Sequence, residues 1–361
     1  PNSSSSLAFV SANGETIFNY NLGAIEIWKI NLSEPNSTIR QLNGHADQTK
    51  DIDLSPDGTQ ILTTGGNLPA EAESTDTSVA LWDFASLELI HRMEGHTDTV
   101  LSVVFSPDGT RAISGGMDNR VIYWDLTTGE PIHIMENHSD WVWDVYFSPD
   151  GQTAISSSKD KSIILWDLAT GEPIRTYSGH SERIWNAVFS PDGSMIASSS
   201  NDTTVIIWDV ATGDIIHQID AGNTSTFHVE FTPDGQYIYV GMARTGLIQQ
   251  YDVSSGELLR TLDGHNGAIN DLEIDPSGQY MISSGDDAIV ILWDLETGQP
   301  LQEFDSTMSR VWDTTFGPSP QTIIYAYDTI YIRDISSLEE TTVDLTLDEL
   351  INQIRTNWIL R

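Results

Sequence analysis

The chain has 361 residues and a formal charge of −37, from 53 Asp and Glu against 16 Lys and Arg. Such an excess repels nucleic-acid phosphates and anionic membranes, which excludes partners of those classes. It has no cysteine, so no disulfide or thiolate metal site forms, and no apolar run approaches the roughly 20 residues that span a bilayer.

The opening Pro1-Asn2-Ser3-Ser4-Ser5-Ser6 reads as a linker or a loosely held end. No secretory segment stands in it, and the expected compartment is the cytoplasm. Length alone suggests two or three domains. A repeat overrides that reading. Trp-Asp stands at Trp82-Asp83, Trp124-Asp125, Trp166-Asp167, Trp208-Asp209 and Trp293-Asp294. Tyr251-Asp252 and Arg333-Asp334 are altered copies in phase, and Trp28-Lys29 is an early one. From position 82 the steps are 42, 42, 42, 43, 42 and 40 residues. A period of about 40–45 residues means a repeat array whose units bury a core by stacking.

One clean unit runs from Gly95 to Asn137. Its first strand, from Val100 to Phe105, is apolar on both faces. The turn Ser106-Pro107-Asp108-Gly109 follows, with Pro and Gly where a turn uses them. Arg111-Ala112-Ile113-Ser114 forms a second strand and Val121-Ile122-Tyr123-Trp124 a third. Thr128-Gly129-Glu130 turns into a fourth strand, Pro131-Ile132-His133-Ile134, which alternates apolar and polar as a half-wet outer strand does. Unalternating inner strands imply sheets covered on both sides. Four short antiparallel strands covered in this way make a propeller blade.

At this point the chain resembles the WD40 repeat family, over roughly residues 7–345. The Gly-His, Ser-Pro-Asp-Gly and Trp-Asp spacing carries the likeness. The resemblance implies a buried His–Ser–Asp–Trp network in each blade. Its matches here are His96, Ser114, Asp118 and Trp124; His138, Ser156, Asp160 and Trp166; His180, Ser198, Asp202 and Trp208; and His265, Ser283, Asp287 and Trp293. His45, Thr63, Asp76 and Trp82 match with about nine extra residues, Asn67 to Thr75, between Thr63 and Asp76. A carboxylate orients an imidazole, which bonds a hydroxyl, which bonds an indole N–H. Ser, His and Asp could also suggest nucleophilic catalysis. A catalytic triad is needed once, whereas this set occurs five times, so no catalytic residue is expected.

Eight units can be counted, with third strands ending near residues 28, 82, 124, 166, 208, 251, 293 and 333. The expected fold is all-β: a closed propeller of eight four-stranded blades, with seven blades and an appended segment as the alternative. The first, sixth and eighth units lack parts of the network. After Asp344 the pattern changes. Thr346-Leu347-Asp348-Glu349 is a capping box, and Leu347, Leu350, Ile351, Ile354 and Trp358 follow at helical spacing. The domains are therefore a propeller over 1–345 and a short helix over 346–361. That tail also resembles segments following propellers in large bacterial signalling proteins, which implies a sensory or regulatory domain and other domains of the same polypeptide as partners.

No Gly-Lys-Ser/Thr phosphate loop, His-Glu-x-x-His or EF-hand pattern is present, so neither cofactor nor metal is expected. An enzyme reading would rest on Asp51, Asp144, His228, Asp271 and Asp313 lining a central channel, and on a pKa-shifted pair among them. The preferred reading is a non-catalytic scaffold that binds a protein or peptide. In the WD40 family the end bearing the His and Asp loops is the usual binding face, and positions three and five after the His point toward its rim. Those positions are Gln48 and Lys50, Thr99 and Leu101, Trp141 and Trp143, Arg183 and Trp185, Ser225 and Phe227, Ala268 and Asn270, and Arg310 and Trp312. Aromatic residues and Arg are the types enriched at binding hot spots. The inserted Asn67 to Thr75, with Glu71 and Glu73, falls at the same end.

Overall fold

The computed structural model describes residues 8–10, 16–21, 24–29, 39–42, 45, 49–66, 75–83, 86, 88–275, 277–305, 314–316, 322–326 and 330–334. They form eight antiparallel sheets in chain order, seven of four strands and the last of three. In every sheet the strands pair in sequence order, so each sheet is a simple meander. There is no helix among the described residues, and the segment 346–361 lies outside them.

The turns explain the meander. In sheet 3 the Ser106 hydroxyl donates to Asp108 at 2.6 Å and accepts the Arg111 N–H at 3.0 Å, while the Gly109 N–H donates to the Ser106 carbonyl. The same closure recurs from Ser148 in sheet 4 and Ser190 in sheet 5. Between third and fourth strands, the carboxylate of the Trp-Asp pair caps the turn: Asp125 accepts the Thr127 N–H at 2.8 Å. Hence the Asp of the dipeptide serves the turn and its Trp serves the core.

The core lies between sheets. Ile113, Val121 and Met135 of sheet 3 pack against Val142, Val145, Phe147 and Trp166 of sheet 4. Second strands are buried over almost their whole length, as in Thr153–Ser158, whereas fourth strands alternate, as in Glu130–Met135. Ile90, Ile132, Ile174, Ile216 and Leu259 stand exposed at one repeat position of the fourth strands.

Two further devices join consecutive sheets. On the fourth strands, the residue nine past the Trp reaches the next sheet's turn. His91 bonds the Thr127 carbonyl, Arg175 donates to that of Ala211, His217 bonds that of Ser254, and Arg260 donates to those of Leu295 and Glu296. The first strands lie side by side through sheets 2 to 7. Each is an edge strand with unpaired N–H groups, and an acidic or amide side chain from the preceding sheet takes some of them. Asp51 accepts the Val103 N–H at 2.8 Å, Asp53 the Phe105 N–H at 2.7 Å, and Asn186 the Val229 N–H at 3.2 Å. The strand Ala8–Val10 of sheet 1 lies against Thr314–Phe316 and Thr322–Ala326 of sheet 8.

Candidate functional site

Five sheets carry the His-centred network. In sheet 4, His138 Nδ1 is 2.9 Å from Asp160 and Nε2 is 2.7 Å from Ser156 Oγ, which accepts the Trp166 Nε1–H at 2.8 Å. With the Nδ1 proton committed to the carboxylate, Nε2 accepts from the serine. The distances repeat within a few tenths of an ångström for His96, Ser114, Asp118 and Trp124, for His180, Ser198, Asp202 and Trp208, and for His265, Ser283, Asp287 and Trp293. Thr63 takes the serine's place between His45 and Trp82, and Asp76 bonds both His45 and Arg92. Burial alone would raise the Asp160 carboxyl, but hydrogen bonds and charge from His138 outweigh it and hold the pKa well below the usual range. Asp118, Asp202 and Asp287 are lowered in the same way. All five sets are closed structural circuits with no open position for a substrate.

The network places the loops beside it, and there the first strands are irregular. In sheets 3 to 7 the pairing of first and second strands slips by one residue, leaving Leu101, Trp143, Trp185, Phe227 and Asn270 unpaired on bulges. A bulge re-aims the side chain it carries. These are the positions five past the His, so backbone register makes this position protrude. In sheet 2 the slip falls between Thr49 and Ile52, a stretch that contains Lys50.

Three of the bulge residues, with Trp141, form one aromatic arc across sheets 4, 5 and 6. Ring centroids are 5.6 Å apart for Trp141 and Trp143, 5.0 Å for Trp143 and Trp185, and 5.1 Å for Trp185 and Phe227. All four side chains are half-buried. Lys159 Nζ lies 3.9 Å from the Trp141 ring centre, and the Arg183 guanidinium 4.5 Å from that of Trp185. The indole N–H groups of Trp143 and Trp185 are covered yet meet no acceptor, a condition that costs about 1–3 kcal/mol each.

The rim is not continuous elsewhere. Thr99 and Ala268 are buried, and Asn270 donates to Asp286 at 3.0 Å. Leu101 is half-buried on its bulge and adds no aromatic ring to the arc. Arg310, Trp312, Gln48 and residues 67–74 of the insertion lie outside the described residues. The position preceding the network Asp, which sequence reasoning passed over, supplies Lys159. Sheet 6 has no network, and there Arg244 follows Ala243, whose N–H bonds the Ser225 carbonyl as that of Lys159 bonds Trp141.

The inner-strand acids do include shifted groups. Burial, then the charge of Asp51, raises Asp144 to about 7, and burial, Asp271 and Glu273 raise Glu230 to about 8. Yet Asp144 is engaged by Ser102, Asn186 and the Ala187 N–H, and Asp51 by the Val103 N–H. His228 stands 3.5 Å from Asp271. These groups join strands, and no group of three metal-ligating side chains occurs among the described residues. No described helix is long and apolar enough to cross a membrane.

Repeated four-stranded meanders, stacked face to face with a His–Asp–Ser–Trp circuit inside, define a β-propeller type of repeat protein. The family model for the WD domain, G-beta repeat matches residues 36–83, 87–125, 129–167, 171–209 and 256–294, more than half of the sequence. The chain belongs to the WD40 family. The matches skip 210–255, which holds the first three strands of sheet 6. Among curated relatives, an uncharacterized WD repeat-containing protein of Synechocystis is 32% identical over 79 residues, 22% of this chain and 20% of that protein. Nuclear distribution protein PAC1 of Coccidioides posadasii is 35% identical over 86 residues, covering 24% and 18%. Polycomb protein esc of Drosophila melanogaster is 31% identical over 89 residues, covering 24% and 19%. The aligned part thus spans about a fifth of these relatives. The crystal structure of the computationally designed Ika8 protein superposes with a TM-score of 0.78 at 21% identity, over 92% of this chain and 97% of that one. At that identity the likeness speaks for the fold alone. WD40 propellers are in general non-enzymatic scaffolds that bind proteins or peptides.

Proposed function

We propose that this chain is a non-catalytic module that binds a protein or peptide on the arc of Trp141, Trp143, Trp185 and Phe227. One observation carries the reading: a register slip turns aromatic side chains out of three consecutive sheets, and their rings meet in one surface. Core packing does not call for this, because sheets 3 and 7 place Leu101 and Asn270 on the same bulge. Large rigid rings offer apolar area at low entropic cost, which is why such residues anchor interfaces. The frame behind the arc is proposed to be a closed ring of eight blades over 1–345. Contact between sheets 1 and 8 supports closure. The segment 346–361 is proposed as a helix beyond it.

The test is selection of a displayed library of random twelve-residue peptides on the purified protein. Enriched peptides are expected to lose binding to the Trp143→Ala/Trp185→Ala double variant and to keep it with Leu101→Ala/Asn270→Ala. Equal binding to all three proteins would overturn the arc as the site. The near-ultraviolet spectrum and melting temperature of each variant check that the fold survives.

A further inference from the structure

Resting on that reading, the structure assigns the arc a class of ligand: a peptide that sets an apolar side chain on the rings and presents a carboxylate beside it. Three unpartnered donors belong to the arc itself or lie against it. Two are the indole N–H groups of Trp143 and Trp185, which meet no acceptor. The third is the Arg183 guanidinium, stacked on Trp185 with no hydrogen bond or ion pair among the described residues. On sheet 6, which carries Phe227, Arg244 stands exposed at the turn after Ala243 and is likewise unpartnered among the described residues. This is unusual for a chain with 53 acidic and 16 basic residues. Each of the other described basic side chains from Arg92 to Arg260 has found a carboxylate or carbonyl. Among the described residues, the two unpaired cations therefore stand on sheets 5 and 6, the sheets that carry Trp185 and Phe227.

The geometry suits a carboxylate and not a cation. The Arg183 guanidinium, held 4.5 Å over the Trp185 ring and engaged in no hydrogen bond among the described residues, has N–H groups available for a bidentate acceptor. A ligand ammonium or guanidinium approaching Trp141 or Trp185 would compete with Lys159 or Arg183, which those rings already hold. Sheet 6 makes the same exchange in its sequence. Where sheets 3, 4, 5 and 7 bury the network aspartate, it exposes Arg244 at the corresponding turn. The overall charge of −37 opposes an acidic ligand at long range, but screening over about 8 Å at physiological ionic strength confines that penalty to the approach. The short-range pairs at the arc decide the bound state.

The experiment uses the peptides selected above at 0.15 M salt. They are expected to combine Leu, Ile or Phe with Asp or Glu nearby. For one labelled peptide, fluorescence anisotropy is measured against its Asp→Asn form, with wild type and with Arg183→Gln. Wild type should prefer the Asp peptide about tenfold, the scale of one charge-assisted hydrogen bond, and Arg183→Gln should reduce the preference to about one while still binding the Asn peptide. Arg244→Gln should reduce it in part. Selected peptides rich in Lys and Arg, or an Asp preference untouched by Arg183→Gln, would overturn the assignment while leaving the arc as a binding site. Peptides indifferent to the Trp143→Ala/Trp185→Ala change would overturn both.

Discussion

Ser156 and Ser157 are neighbours in one buried strand and face opposite fates. Ser156 Oγ closes the circuit between His138 and Trp166. Ser157 Oγ is equally buried and meets no partner. Ser156→Ala strands an imidazole nitrogen and an indole N–H in the core, and is expected to cost about 3 kcal/mol. Ser157→Ala removes a hydroxyl already without a bond, so it should be neutral or stabilising. Urea denaturation of the two variants measures both. A loss of equal size in each would mean that serine packing, and not the circuit, sets stability here. The pairing of His, Ser, Asp and Trp was legible at this scale because each residue sits at a fixed distance from the next Trp-Asp. Arg183 was legible as a rim residue from its place three past His180, but its lack of a partner was not, and Arg244 was not legible at all. Only the placement of carboxylates around the arginines separates these two from Arg120.

At the scale of strands and turns, the four-strand meander followed from turn residues and hydrophobic period. Two features did not. The bulge depends on pairing register between strands, and local pattern shows at most a break in alternation near Trp143-Asp144. The outer latch, in which a fourth-strand side chain bonds a carbonyl of the next sheet's turn, uses residues such as His91 and Arg175 on the polar phase of the strand, where a solvent-facing side chain looks the same in sequence; His133 stands at the same position against Gly171. The latch explains one glycine. Gly171 has φ of +75°, and a Cβ there would lie 2.6 Å from the His133 ring of the preceding sheet. Gly171→Ala therefore combines left-handed strain with a clash and should lose about 2 kcal/mol or more. Adding His133→Gly, which removes the Cβ at 2.8 Å as well as the ring, should recover the part due to the clash relative to His133→Gly alone and leave the part due to φ. Thermal melts of the single and double variants separate the two, and complete recovery would mean that the backbone conformation contributes nothing.

Across the whole molecule two sets of carboxyl groups oppose each other with pH. The network aspartates, Asp118, Asp160, Asp202 and Asp287, have pKa values lowered by folding. Their stabilisation is complete above the unfolded value of about 4 and is lost as pH falls below it. Asp144 and Glu230 run the other way, raised to about 7 and about 8. A raised carboxyl stabilises fully below its unfolded pKa of about 4, and that stabilisation disappears as pH rises through the folded value. The melting temperature should therefore peak between about pH 4 and 5 and decline toward pH 8. General repulsion within a chain of charge −37 would also produce some decline, so a control must remove equal charge elsewhere. Asp144→Asn/Glu230→Gln should flatten the limb between pH 5 and 8. Asp214→Asn/Glu257→Gln, which deletes two exposed carboxylates, should raise the curve slightly and keep its slope. If both double variants flatten the limb alike, the inner-strand acids have no special part in it, and the stacked first strands tolerate their charges as well as the surface does.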